Sequence, residues 1–366
     1  MSAATDVSTQ MNIDSGLPAD DPRLDIPRIL GGSQLQNLDG LLPPIMSGIA
    51  VSLLARFVLD WDGLMSTVVV AVIAAMAFVW VGTRERSGSL VATNSVVTAL
   101  VWLSGTVAIG AIVWMLVFVI EKGSKRFGLS YFTHDMAKVG PLDPGGGVLH
   151  SIVGTLEQVG IAATFSIPIS VLTAVYLHEI RGRISTVVRF IVNAMTGLPS
   201  IVSGLVVYAL WVSGHGYSGA AAAAALTILM IPTVTRTAEE ILRTIPDHYR
   251  EGALALGAQR WRVVVKVVLP AARSGLITAT ILGVARAIGE TAPVRLTALG
   301  TQAFNGNPFK DPQSNLTTFV WDQVRSGNAV QIERAWTGAM VLVVMVLVLF
   351  TAARFVSSRG SSSKGR

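Results

Sequence analysis

Within the apolar stretch 274–294 stand one arginine and one glutamate, Arg286 and Glu290. A helix through this stretch puts them one turn apart on one face. Counted at about 1.5 Å per residue from Ser274, Arg286 lies roughly 18 Å along it, near the middle of a hydrocarbon layer about 30 Å thick. An isolated arginine at that depth costs about 3 kcal/mol on insertion scales, so it has to face a polar cavity or a partner. A planar guanidinium fork fits oxyanions through two parallel hydrogen bonds. Anion passage is therefore one reading, and mutual pairing of Arg286 with Glu290 to lock helices is the other. Arg236, at the end of the apolar stretch 219–235, adds a second guanidinium that either serves the same anion or snorkels to the headgroups.

A different chemistry is written in the polar loop that follows Arg236. Pro246-Asp247 predicts a helix beginning at His248, with Asp247 accepting from its first free amides. Gly257 predicts its end, because glycine enters the left-handed conformation without a Cβ clash. A second amphipathic stretch, 259–268, then runs to Pro270. Two short helices joined by a sharp turn form a knob that fits a cleft on a motor domain; by helical pattern alone, the same residues make a surface hairpin with no particular partner. The chain has no Gly-x4-Gly-Lys-Ser/Thr sequence to cradle nucleotide phosphates. It has no cysteine, and its five histidines show no metal-ligand spacing, so no bound cofactor or metal is expected.

The elements that position these residues are membrane helices. The chain is 51% hydrophobic and 14% charged, with a mean hydropathy of +0.59, which is more apolar surface than a soluble core of 366 residues buries. Eight windows approach the roughly 20 apolar residues of a span: 41–59, 64–82, 96–120, 152–177, 189–211, 219–235, 274–294 and 337–356. The first is interrupted by Pro43, Pro44 and Arg56, so a membrane-surface hairpin with the second is an alternative. The net charge of +6 does not mark a nucleic-acid binder. Basic residues gather in alternate inter-helix loops, among them Arg84 and Arg86, Arg181 to Arg189, Arg236 to Arg273, and the C-terminal tail; the positive-inside rule places these loops and both termini in the cytoplasm. Lys122, Lys125, Arg126 and Lys138 dissent. The expected organisation is a disordered cytoplasmic tail 1–40, two extra N-terminal hydrophobic segments in 41–95, a first core helix with a polar outer loop in 96–148, a transmembrane domain in 149–356 holding the cytoplasmic loop 236–273, and a basic tail 357–366. The run 219–225 has almost no side-chain volume and predicts close helix packing. Gly197 and Pro199 predict a break in the window 189–211, freeing backbone groups near Ser200 and Ser203.

The loop 251–270 resembles the docking loop of ABC-importer permeases, in which Glu-Ala-Ala precedes a glycine, an isoleucine and Leu-Pro. Glu251, Ala253, Gly257, Leu269 and Pro270 match that pattern; Gly252 replaces an alanine and Val267 the isoleucine. The run Ala285-Arg-Ala-Ile-Gly-Glu-Thr-Ala-Pro293 is similar to the signature of phosphate-importer permeases of the PstA type, and Gly197-Leu-Pro-Ser-Ile-Val-Ser-Gly204 to their third core helix. The resemblance implies an all-α polytopic protein with a six-helix type-I ABC importer core, a multi-pass location in the plasma membrane, and a non-catalytic role. It also implies a second permease subunit, two ATPase subunits that bind ATP and Mg²⁺, and an extracytoplasmic phosphate-binding protein. Arg286 and Arg236 are the positions it connects with phosphate passage, and Glu290 would accept the proton that hydrogen phosphate carries and sulfate lacks. A permease for another oxyanion and a membrane subunit that signals phosphate status are the alternatives.

Overall fold

The computed structural model describes residues 38–59, 63–180 and 182–359, all helix, turn or loop with no strand among them. The expected tails 1–40 and 357–366 lie outside the described residues except for 38–40 and 357–359, which belong to helices. Contacts divide the chain into two compact units, meeting between Ile112 and Val113.

In the first unit, α1 (Leu38–Leu59) packs on α2 (Leu64–Ser87), and α3 (Ser89–Gly123) follows after Gly88, whose φ of +86° breaks the helix. A Cβ on Gly48 would sit 2.6 Å from the Ala71 carbonyl, so glycine permits the α1–α2 approach. Both α2 and α3 are long and apolar enough to cross a membrane; the described apolar part of α1, Met46–Arg56, is shorter.

The second unit holds α4 (Leu129–Thr133), α5 (Leu149–Glu179), α6 (Arg183–Thr196), α7 (Ser200–Val207) with a π-helical turn leading to α8 (Ser213–His215), and α9 (Gly219–Arg243). Then come α10 (Asp247–Ala255), α11 (Arg260–Val263), a π-helical turn at Val264–Val268, α12 (Leu269–Ile288), α13 (Ala292–Ala298), α14 (Leu316–Arg325) and α15 (Ala329–Arg359). Four single helices here are long and apolar enough to span, and α6 with the α7–α8 segment forms a fifth that bends by 103°. Counted with α3, the described residues thus offer the six spans expected of the core, after α1 and α2 in sequence.

Helix α9 is the centre. Ala222, Ala223, Leu226 and Met230 meet Val159 and Ala162 of α5, Ala287 and Ile288 of α12, and Val294 and Ala298 of α13. Lipid tails are as apolar as these side chains, so burial alone drives little association; close backbone approach through small residues does. The run 219–225 supplies that approach, with Gly219, Ala220 to Ala223 and Ala225 all buried.

Three sequence expectations need correction. Pro270 ends no helix: Arg260–Ile288 is one continuous segment, and the π turn just before Pro270 widens the helix where a missing amide and a bulky ring would disrupt a regular ladder. Asp247 lies inside the first turn of α10 and makes no cap; it pairs with Arg250 instead. The window 274–294 overruns the helix, because α12 closes at Gly289 and Pro293 begins a new helix, leaving Glu290 outside both. The stretch 295–336 carries a short helix, α14, started by an Asn315 side chain that accepts from the Thr318 amide at 2.8 Å.

Candidate functional site

Thr233 and Arg236 lie three residues apart on α9, hence on one face, and each meets a different neighbouring helix. Arg286 of α12 reaches Thr233, its Nη1 donating to Oγ1 at 3.5 Å. Arg236 donates from Nε and Nη2 to Oδ1 of Asn193 on α6, at 3.2 and 2.6 Å. One guanidinium thus reaches α9 from α12, and the other leaves α9 towards α6 three residues further on.

Glu290 remains within reach of Arg286 although it has left the helix. The last turn closes with bonds from the Gly289 amide to Arg286 O and from the Glu290 amide to Ala287 O. Those bonds curl the chain back and hold Glu290 Oε1 3.6 Å from Arg286 Nε. This is an ion pair without hydrogen-bond geometry, and 51% of the Arg286 side chain stays exposed. The pair lies within one strand of chain, so its charges tie α12 to no other helix, and the guanidinium is open to a third group. Thr317 of α14 donates to the Glu290 carbonyl at 2.9 Å and fixes the turn.

Ser200 and Ser203 are placed elsewhere. The α6–α7 break falls at Gly197 and Pro199 as their chemistry predicts, but Ser203 is buried and donates to the Ser200 carbonyl at 2.7 Å. Its hydroxyl is occupied by its own helix. Gly204 lies against Pro293, where an added Cβ would come within 2.7 Å of Cα, so the serines belong to the α7–α13 seam. Neither hydrogen-bonds either arginine.

The loop of the second chemistry has two unequal arms. No residue of α10 is buried, and Glu251 is exposed. Gly257 has φ +81°, and its amide donates to Leu254 O at 2.9 Å, completing the left-handed stop. The second arm is anchored: Val263 and Val268 pack with Ala174 of α5, Ala238 and Leu242 of α9, and Ala272 of α12, with Ala253 and Val267 against their edge. Leu269 is half-buried and Pro270 exposed. Tyr249, Leu256 and Trp261 stand exposed on this otherwise polar loop.

Sequence reasoning missed Asn193, Thr233 and a buried glutamate, Glu239. Glu239 on α9 pairs with Arg189 of α6 and, at 2.8 Å, with Arg243 one turn along. The only sequence signal was an acid inside a basic segment. Among the described residues no group of acids and histidines could hold a metal ion.

The family model of the binding-protein-dependent transport system inner membrane component matches residues 166–361, which include every residue of both constellations. The phosphate transport system permease protein PstA 1 of Mycobacterium tuberculosis (strain CDC 1551 / Oshkosh) is 37% identical over 273 residues, 73% of this chain and 90% of that protein. PstA of Mycobacterium leprae (strain TN) is 36% identical over 74% of this chain and 91% of its own length. PstA of Haemophilus influenzae is 34% identical over 74% and 93%. With its stack of apolar helices, the chain is a multi-pass inner-membrane protein and belongs to the family of binding-protein-dependent transport system inner membrane components.

Proposed function

We propose that this chain is a permease subunit of an ATP-driven inorganic phosphate importer, supplying half of the translocation pathway. The observation that carries this reading is its similarity, over nine-tenths of their length, to relatives named as phosphate transport system permeases. The arrangement on α9 supports it chemically. Arg286 and Arg236 offer two guanidiniums to an oxyanion that would otherwise cross an apolar region without opposing charge. Glu290 repels a bare dianion but accepts a hydrogen bond from a protonated one, which favours hydrogen phosphate over sulfate.

The same reading assigns ATP and Mg²⁺ to two separate ATPase subunits, which meet the exposed α10 and the apolar side chains of Tyr249, Leu256 and Trp261. Exposed apolar residues on a polar loop suit a protein partner. A second permease subunit completes the pathway, and an extracytoplasmic phosphate-binding protein delivers the substrate.

The test is reconstitution of the purified complex in proteoliposomes, with radiolabelled phosphate supplied on its binding protein. Uptake that requires internal ATP and resists competing sulfate is expected. ATP-dependent uptake of another oxyanion, or none of any, would contradict the proposal. Glu290→Gln keeps a carbonyl acceptor while removing the charge, so it should retain partial uptake and loosen the rejection of sulfate.

A further inference from the structure

No residue of α10 is fully buried, and Ala253 only edges the apolar cluster beneath it. The polar tie to the membrane helices is Arg250. Arg250 turns inward, with only 16% of its side chain exposed, and so is withheld from any partner docking on the outer surface of α10. Its Nη1 donates to Asp247 Oδ1 at 3.1 Å, securing the arginine to its own helix. Its Nη2 donates to Nε2 of His178 and stands 3.3 Å from Oε1 of Glu179, the last two residues of α5. Arginine only donates, so His178 Nε2 is the lone-pair nitrogen of a neutral ring. The Glu179 oxygen is buried and makes no hydrogen bond, which leaves the ion pair with Arg250 as the contact that opposes its charge.

The same end of α5 is gripped from the other side. Arg189 of α6 donates to the Leu177 carbonyl at 3.1 Å and pairs with Glu239 of α9. Helix α5 packs along α9, where Ser170 donates to the Ile231 carbonyl at 3.1 Å, two residues before Thr233. A continuous chain of contacts therefore runs from α10 through Arg250 to α5 and on to α9, which carries Arg236 and, at Thr233, meets Arg286.

We propose that Arg250 is a positioning residue for coupling, passing the movement of α10 to α5 through Glu179 and His178. This rests on the importer reading. Covalently the loop leads only to α9 and α12, so without the latch α5 is left with the apolar contact around Ala253 and Ala174 and no ionic link to α10.

The experiment compares wild type, Arg250→Ala, Glu179→Gln, Arg250→Lys and the charge-swapped pair Arg250→Glu with Glu179→Arg, each as the complete complex in proteoliposomes. Phosphate imported per ATP hydrolysed is measured beside the ratio of co-purified ATPase. Arg250→Ala and Glu179→Gln are expected to keep the ATPase and its hydrolysis but to lower phosphate per ATP about tenfold, the scale of a typical coupling energy. Arg250→Lys and the swapped pair should recover much of it. Unchanged phosphate per ATP in both single variants would overturn the proposal, and so would loss of the ATPase from both, which would make the contact one of assembly. A wild-type complex that imports no phosphate would bring down the importer reading, and this proposal with it.

Discussion

Asn193 on α6 accepts two hydrogen bonds from Arg236 on α9 through a single side-chain oxygen, at 3.2 and 2.6 Å. A neutral acceptor orients the guanidinium without cancelling its charge. Among the described residues no carboxylate pairs with Arg236, so the arginine is held by a neighbouring helix yet remains electrostatically available.

That relationship predicts an order among substitutions. Asn193→Ala releases Arg236 and is expected to raise the KM for phosphate about tenfold, in line with losing charge-assisted hydrogen bonds that are partly exposed. Asn193→Asp is nearly isosteric but competes with the anion for the guanidinium, and should reduce uptake further. Initial-rate uptake checks this; an Asp variant more active than the Ala variant would contradict it.

Gly257 is predicted to be essential for coupling and dispensable for insertion. An added Cβ would meet nothing within 4 Å, so the whole penalty at φ +81° is backbone conformation. It is roughly 1–2 kcal/mol for a residue with a Cβ. Gly257→Val should insert normally while losing phosphate-stimulated ATP hydrolysis, and Gly257→Asn, which tolerates this conformation, should retain more. Equal activity in both would contradict the prediction.

Gly154 on α5 tests the packing. A Cβ there would lie 2.0 Å from the Ser314 carbonyl oxygen, a backbone atom that cannot swing aside. Gly154→Ala should therefore destabilise the protein by about 1–3 kcal/mol, as overpacking does. Gly160→Ala, on the same helix with nothing within 4 Å, is the control. Thermal unfolding in detergent should separate the two.

An outer-loop contact carries a pH signature. Asp135 accepts hydrogen bonds from the amides of Phe304 and Ala137, at 2.9 and 3.2 Å, and these hold its carboxyl below the usual range. A depressed carboxylate contributes fully above its unfolded pKa of about 3.9 and loses that contribution as pH falls through the folded value. Amide exchange at Phe304, normalised to the intrinsic rate, should stay slow through the ordinary carboxylate range and speed up only as pH falls below it. In Asp135→Asn it should not depend on pH in this way.

Local chemistry was readable from sequence wherever one residue type decides the outcome. Gly197 and Pro199 marked the α6–α7 break, Gly257 the left-handed stop, and the run 219–225 the close packing of α9. Pro270 misled because a π turn upstream relieves it, and π turns have no composition of their own. Glu290 misled because Gly289 closes α12 one residue earlier while the turn still returns the carboxylate to Arg286. The pairings of Asn193 with Arg236 and of Arg189 with Glu239 span 43 and 50 residues. They depend on which helices become neighbours, and periodicity within each helix is silent on that. The arginines stood out as candidates because charge in an apolar stretch is costly; their partners Thr233 and Asn193 did not, because neutral polar groups in such helices are common.

The most direct test is ATP-dependent phosphate uptake by the complete complex carrying Arg286→Ala, measured beside the yield of assembled complex. Arg286 pairs with Glu290 of its own chain segment at 3.6 Å and reaches α9 through one long hydrogen bond to Thr233 at 3.5 Å, so its removal should leave assembly intact. The account predicts normal complex yield with uptake reduced at least about a hundredfold, since an anion would then meet a pathway stripped of its central opposing charge. Wild-type uptake in this variant, or a complex that no longer assembles, would contradict it.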